Sequence, residues 1–239
     1  MWYKLSSIFV VAEIGVNWDG DFDIAKQMMI TAKKAGCDAV KFQSFNEDII
    51  KDHPEKSRLL STSIAENNIE LINDLSKSVG IEWFSTPMYP EAVTLLDSFV
   101  NRFKIREKDS RDLFEKKNSP ILDEILKLDK EVIISSEKSP KLLKNFGSQK
   151  IRWLYCVPKY PCQITDFDFT NIQEFDGFSN HCPQIVVPLT SVILGAKIIE
   201  IHISYDKSGN YFDNNVSFDA HELYQLLTLI RQYEKIIKF

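Results

Sequence analysis

The feature that most constrains the fold of this chain is an alternation of short strand-like runs with helix-like segments. Eight runs rich in β-branched and aromatic residues recur along the sequence. They are Ile8–Gly15, Asp38–Phe45, Ile81–Pro87, Arg102–Arg106, Glu131–Ser136, Ile151–Val157, Glu174–Ser179 and Lys197–Ser204. A strand followed by a helix, eight times over, is typical of a single (β/α)8 barrel, and 239 residues are close to the usual length of that fold.

Helical periodicity fills the gaps between these runs. The predicted helices are Phe22–Ala35, Ser61–Val79, Pro90–Phe99, Ile121–Leu128, Asp166–Gln173, Pro183–Ala196 and Asp219–Ile237, with a further helix start at Ser139-Pro140. Gly36 and Gly80 follow two of them, as is common at helix ends. A doubly wound open sheet is the alternative, but no GxGxxG segment follows any strand, so its usual dinucleotide signal is missing.

Composition excludes several classes of partner. The formal net charge is −5 and no basic block stands out, which argues against nucleic-acid binding. No apolar segment is long enough to span a membrane. The four cysteines form no CxxC pair, and the apolar run before Glu13 is too short for a signal peptide. We therefore expect free thiols and a cytoplasmic protein that acts on small molecules.

Polar residues follow or interrupt the predicted strands where a barrel carries its chemistry, at the carboxyl ends. Two of them, Lys41 and Lys104, lie inside otherwise apolar strands, where a charge is costly unless it is paired. Glu13 and Asp109 could pair with these lysines in a structural network. The alternative is that the lysines bind a phosphate or carboxylate of a ligand, and the neighbouring hydroxyl residues favour that interpretation.

Two histidines end neighbouring predicted strands. His181 follows the seventh strand, His202 lies in the eighth, and the helix-like segment Pro183–Ala196 joins them. Parallel strands joined in this way place both ends on the same side of a sheet, so two imidazoles could share one divalent metal. A histidine at a strand end is, however, more often a hydrogen-bonded core residue. The pattern alone leaves both interpretations open.

Five segments together resemble a known family. They are Ala12-Glu13-Ile14-Gly15-Val16-Asn17, Lys41-Phe42-Gln43-Ser44-Phe45, Phe84-Ser85-Thr86-Pro87, Gly177-Phe178-Ser179-Asn180-His181 and Glu200-Ile201-His202. In this order, from about Val10 to the end, the chain resembles the sialic acid synthase (N-acetylneuraminate synthase) family. The resemblance implies a (β/α)8 barrel that condenses phosphoenolpyruvate with an N-acyl-hexosamine, such as N-acetylmannosamine. It implies release of phosphate, a nine-carbon 2-keto sugar acid as product, and a divalent metal, usually Mn²⁺, with Mg²⁺ or Co²⁺ as alternatives.

The resemblance also implies roles for individual residues. The metal ligands would be His181 and His202. The catalytic residues would be Glu13, Lys41, Gln43, Tyr160 and Asp213, and the substrate-binding residues would be Asn17, Thr86, Lys104, Asp109, Ser135 and Ser179. In this scheme the lysines neutralise the charge of phosphoenolpyruvate. Glu13 stabilises the cation that forms at carbon 2, or handles a proton.

The chain departs from the family pattern mainly around the phosphate. Glu107 stands where the family has a serine that touches the phosphate, and a carboxylate there would be repulsive by about 1–4 kcal/mol at a separation of ~4 Å. Glu137 adds a second acid after strand five, and Pro158 replaces a family asparagine. Two alternatives therefore stay open. One is a diverged barrel enzyme with another anionic donor or an aldol cleavage, and the other is a catalytically inactive binding subunit.

The predicted domain organisation is one barrel over residues 1–239, without the C-terminal antifreeze-like domain of the family. In the family that domain reaches across a dimer and contributes an arginine to the sugar site of the partner. A homodimer of the barrel itself is compatible with the sequence, but not through that exchange.

Overall fold

A closed barrel of eight parallel strands forms the centre of the molecule. The computed structural model describes residues 7–143 and 150–237. Each strand pairs with the next along the chain, and the eighth pairs with the first. The strands are β1 (Phe9–Gly15), β2 (Ala39–Ser44), β3 (Glu82–Pro87), β4 (Arg102–Ile105), β5 (Glu131–Ser136), β6 (Ile151–Cys156), β7 (Gly177–Asn180) and β8 (Ile198–His202). This architecture confirms the predicted (β/α)8 barrel and all eight predicted strands.

Helices surround the barrel. They are α1 (Phe22–Ala35), α2 (Lys56–Leu60), α3 (Ile69–Val79), α4 (Pro90–Asp97), α5 (Glu107–Phe114), α6 (Pro120–Leu126), α7 (Val186–Ile193) and α8 (Ala220–Ile237). After β5 and β6 the described residues form only short 3-10 turns. No helix in the described ranges is both long enough and apolar enough to cross a membrane.

The residues that cap the first helix show why its two ends could be predicted from the sequence. The Asp21 side chain accepts hydrogen bonds from the backbone amides of Asp23 and Ile24, which have no partner inside the helix. At the other end Gly36 adopts a left-handed conformation with φ of 98°, which glycine reaches without steric cost. The observed helix therefore has the predicted bounds.

Three predicted helices differ from the structure. The helix predicted from Ser61 begins only at Ile69, because Ser63 instead exchanges hydrogen bonds with the backbone of Phe45. The helix predicted over Asp166–Gln173 is replaced by two 3-10 turns, Ile164–Asp166 and Ile172–Glu174. Between them Phe167 and Phe169 pack on Phe178. The start predicted at Ser139-Pro140 gives a single 3-10 turn over Pro140–Leu142, and any continuation into 144–149 lies outside the described residues.

Candidate functional site

A cavity of about 590 Å³ opens at the carboxyl ends of the strands. It brings together eleven of the thirteen residues predicted for the site, namely Glu13, Lys41, Gln43, Thr86, Lys104, Ser135, Tyr160, Ser179, His181, His202 and Asp213. The two predicted residues that do not line it are Asn17 and Asp109. The cavity therefore lies where a barrel of this kind carries its chemistry.

Strand register places the charged side chains next to one another. Glu13 lies opposite Lys41 on β2 and opposite His202 on β8. The β1–β2 ladder is irregular between Glu13 and Gly15, and Gly15 has a φ of 53°. A Cβ at Gly15 would lie 3.0 Å from Glu13 Oε1 and 3.1 Å from Gln43 Nε2. Glycine thus leaves room for the 2.9 Å hydrogen bond that Gln43 donates to Glu13.

Four buried charges form the bottom of the cavity, and we call Glu13, Lys41, Lys104 and Glu200 the charged floor. The Lys41 ammonium lies 3.0 Å from Glu13 Oε1 and 3.7 Å from Glu200 Oε2. The Lys104 ammonium lies 3.4 Å from Glu200 Oε1. Two cations and two anions balance, so the floor is held together by ion pairs that span four strands.

Three hydroxyl groups form hydrogen bonds with the charged side chains of the floor. Lys41 donates a 2.9 Å hydrogen bond to Thr86, and Lys104 donates one of 2.7 Å to Ser135. Ser179 donates to Glu200 at 2.9 Å. The structural network that the sequence left as one of two possibilities for the lysines is therefore present, but one of its expected partners is different. Lys104 pairs with Glu200, because Asp109 lies on α5 and its carboxylate is held by Arg106.

Burial and charge act in opposite directions on the floor. Burial raises the pKa of Glu13 and lowers the pKa of Lys104. Burial also opposes ionisation of Glu200, but the charges of Lys104 and Lys41 outweigh it and lower its pKa to about 2. For Lys41 the cost of burial is exceeded by its two carboxylate partners, so its pKa is raised. Lys104 has only one close carboxylate, which explains the different direction.

Two acceptor atoms of the floor are left open. Glu13 Oε2 and Glu200 Oε2 are buried and accept no hydrogen bond from the described residues. A buried carboxylate oxygen without a donor costs free energy, so such an atom in a native protein calls for an explanation such as a catalytic role or an ordered water. Both oxygens belong to residues that line the cavity, although the atoms themselves are shielded.

The two histidines meet beside the floor, with ring centroids 5.3 Å apart. His181 Nδ1 lies 3.1 Å from the Val157 carbonyl oxygen and donates to it, which leaves Nε2 with its lone pair. That nitrogen is 2.6 Å from the Tyr160 hydroxyl. Burial, followed by the neighbouring His202, lowers the pKa of His181 to about 3, so its imidazole is neutral.

The histidine pair fits a divalent metal as an open site. Neutral imidazole is the ligand form, and the bond to the Val157 carbonyl is the orientation that metal-bound histidines commonly use. His202 Nδ1 is buried without a hydrogen bond and lies 3.4 Å from Asp213 Oδ2. No set of three or more His, Cys, Asp and Glu side chains among the described residues is arranged to hold an ion. The imidazoles would therefore need oxygen ligands from substrate or water.

Asn17 positions the loop that carries Asp213. Its amide nitrogen donates to the Ile203 carbonyl and to Ser217, and its oxygen accepts from the Asp213 backbone amide, each at 2.9 Å. The side chain is fully buried and every hydrogen bond is within the protein. This arrangement corrects the expectation that Asn17 touches substrate, because it instead ties the end of β1 to the loop after β8.

An apolar wall forms the outer part of the cavity. Val16, Leu59, Met88 and Phe212 line it and belong to a small cluster separate from the main core. Arg58 stacks over the Phe212 ring at 4.6 Å and pairs with Asp19. Through these contacts Arg58 joins the segment between β2 and α3 to the loop after β8. The contacts hold the apolar wall in place at the mouth of the cavity.

Helix α5 and Arg106, the residue before it, form the part of the lining next to Met88 of the apolar wall, and this part is rich in charge. Arg106, Glu107, Lys108 and Arg111 all line the cavity. The Glu107 carboxylate is buried and accepts from Arg111 Nε at 2.9 and 3.0 Å, with Arg111 Nη2 at 2.7 Å. The charge of Glu107 is thus compensated. Glu137, the second acid expected near the phosphate, is exposed and lies outside the cavity lining.

Sequence reasoning assigned no role to Glu200 or to the cations of α5. The signal for Glu200 was present, since it stands two residues before His202 in an otherwise apolar strand, and that spacing places both side chains on one face. The α5 residues carried no comparable signal. Their sequence has no apolar stripe, so neither the helix nor its position could be predicted.

The chain is similar in sequence to a known family of proteins. The model of the NeuB family matches residues 28–238. An uncharacterized protein of Methanocaldococcus jannaschii is 33% identical over 96% of this chain and 72% of its own length. The N,N'-diacetyllegionaminic acid synthase of Campylobacter jejuni is 30% identical over 97% of this chain and 78% of its own.

A solved structure gives the same result. The N-acetylneuraminic acid (sialic acid) synthetase of Leptospira borgpetersenii, crystallised with citrate, superposes with a TM-score of 0.84 at 27% identity. The match covers 98% of this chain and 86% of that one. The family model spans most of the chain and the barrel agrees in three dimensions. The chain therefore belongs to the NeuB family, whose relatives found here include synthases of sialic and legionaminic acids.

Proposed function

We propose that this protein condenses phosphoenolpyruvate with an N-acyl-hexosamine, such as N-acetylmannosamine, in a reaction that needs a divalent metal. The products are a nine-carbon 2-keto sugar acid and phosphate. The observation that carries the proposal is the presence, in one cavity, of a buried floor with two lysines and a neighbouring pair of imidazoles. The names of the Campylobacter and Leptospira relatives support the same class of product.

The floor and its hydroxyls form the donor end of the site. Lys41 and Lys104 attract the negative groups of phosphoenolpyruvate. Thr86 and Ser135 accept from the floor lysines, so their hydroxyl protons can turn toward the donor, whereas Ser179 uses its proton to hold Glu200. Since both lysines are buried, water screens their charges weakly, which strengthens their attraction to a bound anion.

The reaction moves three protons, and the chain supplies Glu13 for one of them. Carbon 3 of the enol attacks the aldehyde carbon of the open-chain sugar, and the aldehyde oxygen takes up a proton. The cation left at carbon 2 adds water, which loses one proton. When the bond from carbon 2 to phosphate breaks, the new hydroxyl gives its remaining proton to the departing phosphate and becomes the ketone. Glu13, buried and with no hydrogen bond to Oε2 from the described residues, stabilises that cation and accepts the proton of the water. A metal held by His181 and His202 would supply Lewis acidity to the sugar carbonyl.

The outer cavity forms the acceptor end. Gln43, Tyr160 and Asp213 present polar atoms that can bond to sugar hydroxyls. The apolar wall, with Met88 and Phe212, faces the same space and suits the methyl of an N-acyl group. A chain of hydroxyl groups and one apolar acyl substituent are the two features of an open-chain N-acyl-hexosamine.

The experiment is phosphate release from phosphoenolpyruvate, with Mn²⁺ and a panel of N-acyl-mannosamine derivatives. We expect turnover that chelation removes and Mn²⁺ restores. His181→Ala should abolish it while the barrel stays folded, and His221→Ala, an exposed histidine on α8, should not. Unchanged turnover in His181→Ala would refute the metal assignment. Metal binding without phosphate release would favour another donor or an aldol cleavage. The absence of both metal binding and phosphate release would favour a binding subunit.

A further inference from the structure

The charge balance of the cavity is incomplete for the proposed donor. Phosphoenolpyruvate brings one carboxylate charge and a phosphate of about −1.5 to −2 at neutral pH. The charged floor offers two ammonium groups, but Glu13 and Glu200 already compensate both. The proposed metal would add positive charge at the sugar carbonyl, and further cations are expected to face the donor. The chain offers Arg106, which precedes α5, and Lys108 and Arg111 on α5.

Arg106 is the least available of the three. Its Nε and Nη2 atoms bond to the two carboxylate oxygens of Asp109 at 2.6 and 2.9 Å, and Nη1 contacts the Met88 sulfur at 2.9 Å. All three nitrogens are thus engaged in fixing the start of α5 against the apolar wall. A donor would have to break these contacts to reach the guanidinium.

Lys108 and Arg111 are available. Lys108 is exposed, lines the cavity and forms no ion pair with any described residue. Arg111 uses Nε and Nη2 for Glu107, while Nη1 bonds to nothing in the described ranges. The two residues are three apart on α5, so their side chains lie on one face of the helix.

From these contacts we propose that Lys108 and Arg111 bind the phosphate of the donor, and that Glu107 is a positioning residue that holds Arg111 at the mouth. The inference rests on the proposed function and assigns its phosphate subsite to α5. The sequence predicted that the Glu107 carboxylate would repel the phosphate. In this proposal it instead orients the Arg111 guanidinium, to which it bonds through two nitrogens. Arginine suits this task because its planar fork can serve two anions at once.

The main test measures phosphoenolpyruvate binding to the Mn²⁺-loaded protein by calorimetry, without sugar. Arg111→Met should weaken binding about ten- to hundred-fold, the range expected when a hydrogen bond to a charged group is lost. Lys108→Met should weaken it about tenfold or less, since its flexible ammonium is more exposed. Lys117→Met is the matched control. It removes an exposed lysine that also pairs with a glutamate, Glu115, but lies outside the cavity, and should change nothing.

A second pair of variants separates two possible roles of Arg111, namely contact with the donor and neutralisation of the Glu107 charge. Arg111→Met alone leaves Glu107 unpaired and could weaken binding by repulsion. Glu107→Gln/Arg111→Met is therefore compared with Glu107→Gln, which removes the charge of Glu107 but keeps an oxygen that can accept from Arg111 and hold it in place. If Arg111 contacts the donor, the double variant binds about tenfold or more weakly than the single one. Equal affinities would overturn the proposal, because Arg111 would then serve only to neutralise Glu107.

Two inhibitors locate the contact on the donor. Inorganic phosphate should inhibit Arg111→Met less than the wild type, while inhibition by pyruvate, which lacks the phosphate, should be unchanged. A loss confined to pyruvate would overturn the assignment of the subsite to phosphate. A wild type that binds no phosphoenolpyruvate would refute the proposed function as well. A wild type that binds it, with Arg111→Met unaffected, would refute only the inference drawn from α5.

Discussion

Replacing Glu200 by glutamine tests whether the charged floor is a single balanced unit. The substitution keeps the size of the side chain and an oxygen that can accept from Ser179. It removes one of two negative charges beside two buried ammonium groups, at 3.4 Å from Lys104 and 3.7 Å from Lys41. Each of these attractions is worth about 5 kcal/mol gross at an effective dielectric of ~20.

The net loss is smaller, because Lys104 can release its proton. Neutralising a lysine with an ordinary pKa of 10.5 at pH 7 costs about 5 kcal/mol, which is an upper limit since burial already lowers the pKa of Lys104. Breaking a buried ion pair usually costs about 3–5 kcal/mol. We therefore expect Glu200→Gln to lower the free energy of unfolding by about 3–5 kcal/mol, a large part of the total of ~5–15 kcal/mol.

Urea unfolding at pH 7 measures this loss. Lys104→Met/Glu200→Gln, which also removes the unpaired ammonium, should regain about 2 kcal/mol or more relative to Glu200→Gln. In Glu200→Gln the folded state holds Lys104 less protonated than the unfolded state does. Its stability should therefore rise relative to wild type between pH 7 and 9. Glu124→Gln, which removes an exposed partner of Lys127, is the control and should cost less than about 1 kcal/mol.

A loss below about 1 kcal/mol in Glu200→Gln would refute the reasoning, because the floor would then not depend on balanced charge. A double variant no more stable than the single one would show that the cost comes from something other than an unpaired lysine. Either result would also remove the argument that further cations face the donor.

The remaining predictions concern backbone packing and the Asp213 loop. Gly177→Ala should destabilise the protein by about 3 kcal/mol or more, because its Cβ would lie 2.0 Å from the Ile198 carbonyl oxygen. Gly36→Ala, at a left-handed position with open space around it, should cost about 1–2 kcal/mol, and equal losses in urea unfolding would contradict the packing argument. Asn17→Ala removes three buried hydrogen bonds and should cost about 2–4 kcal/mol. It should also lower hydrogen-exchange protection of the Asp213 amide, and unchanged protection would show that Asn17 does not hold the loop.

Local sequence signals predicted the barrel well. The eight strands appear at their expected places, because β-branched runs bounded by turns depend on neighbours in the chain. The alternation of side chains along a strand likewise decided which polar residues could face the cavity, as Lys41 and Gln43 show. The helices were less predictable where polar side chains bonded to the backbone instead, as Ser63 does before α3.

The sequence by itself determined the class of fold, the order of the strands and most of the side chains at their carboxyl ends. These follow from hydrophobic periodicity and from which residues stand where each strand stops. Only the tertiary structure decided which charges meet. Lys104 pairs with Glu200, which is 96 positions away, while Asp109, only five positions away, bonds to Arg106. Asn17 holds a loop about 200 residues away for the same reason, whereas Glu107 and Arg111 form a local i,i+4 pair within α5. Partners on different strands of a closed barrel are chosen by strand register, and spacing along the chain does not encode that register.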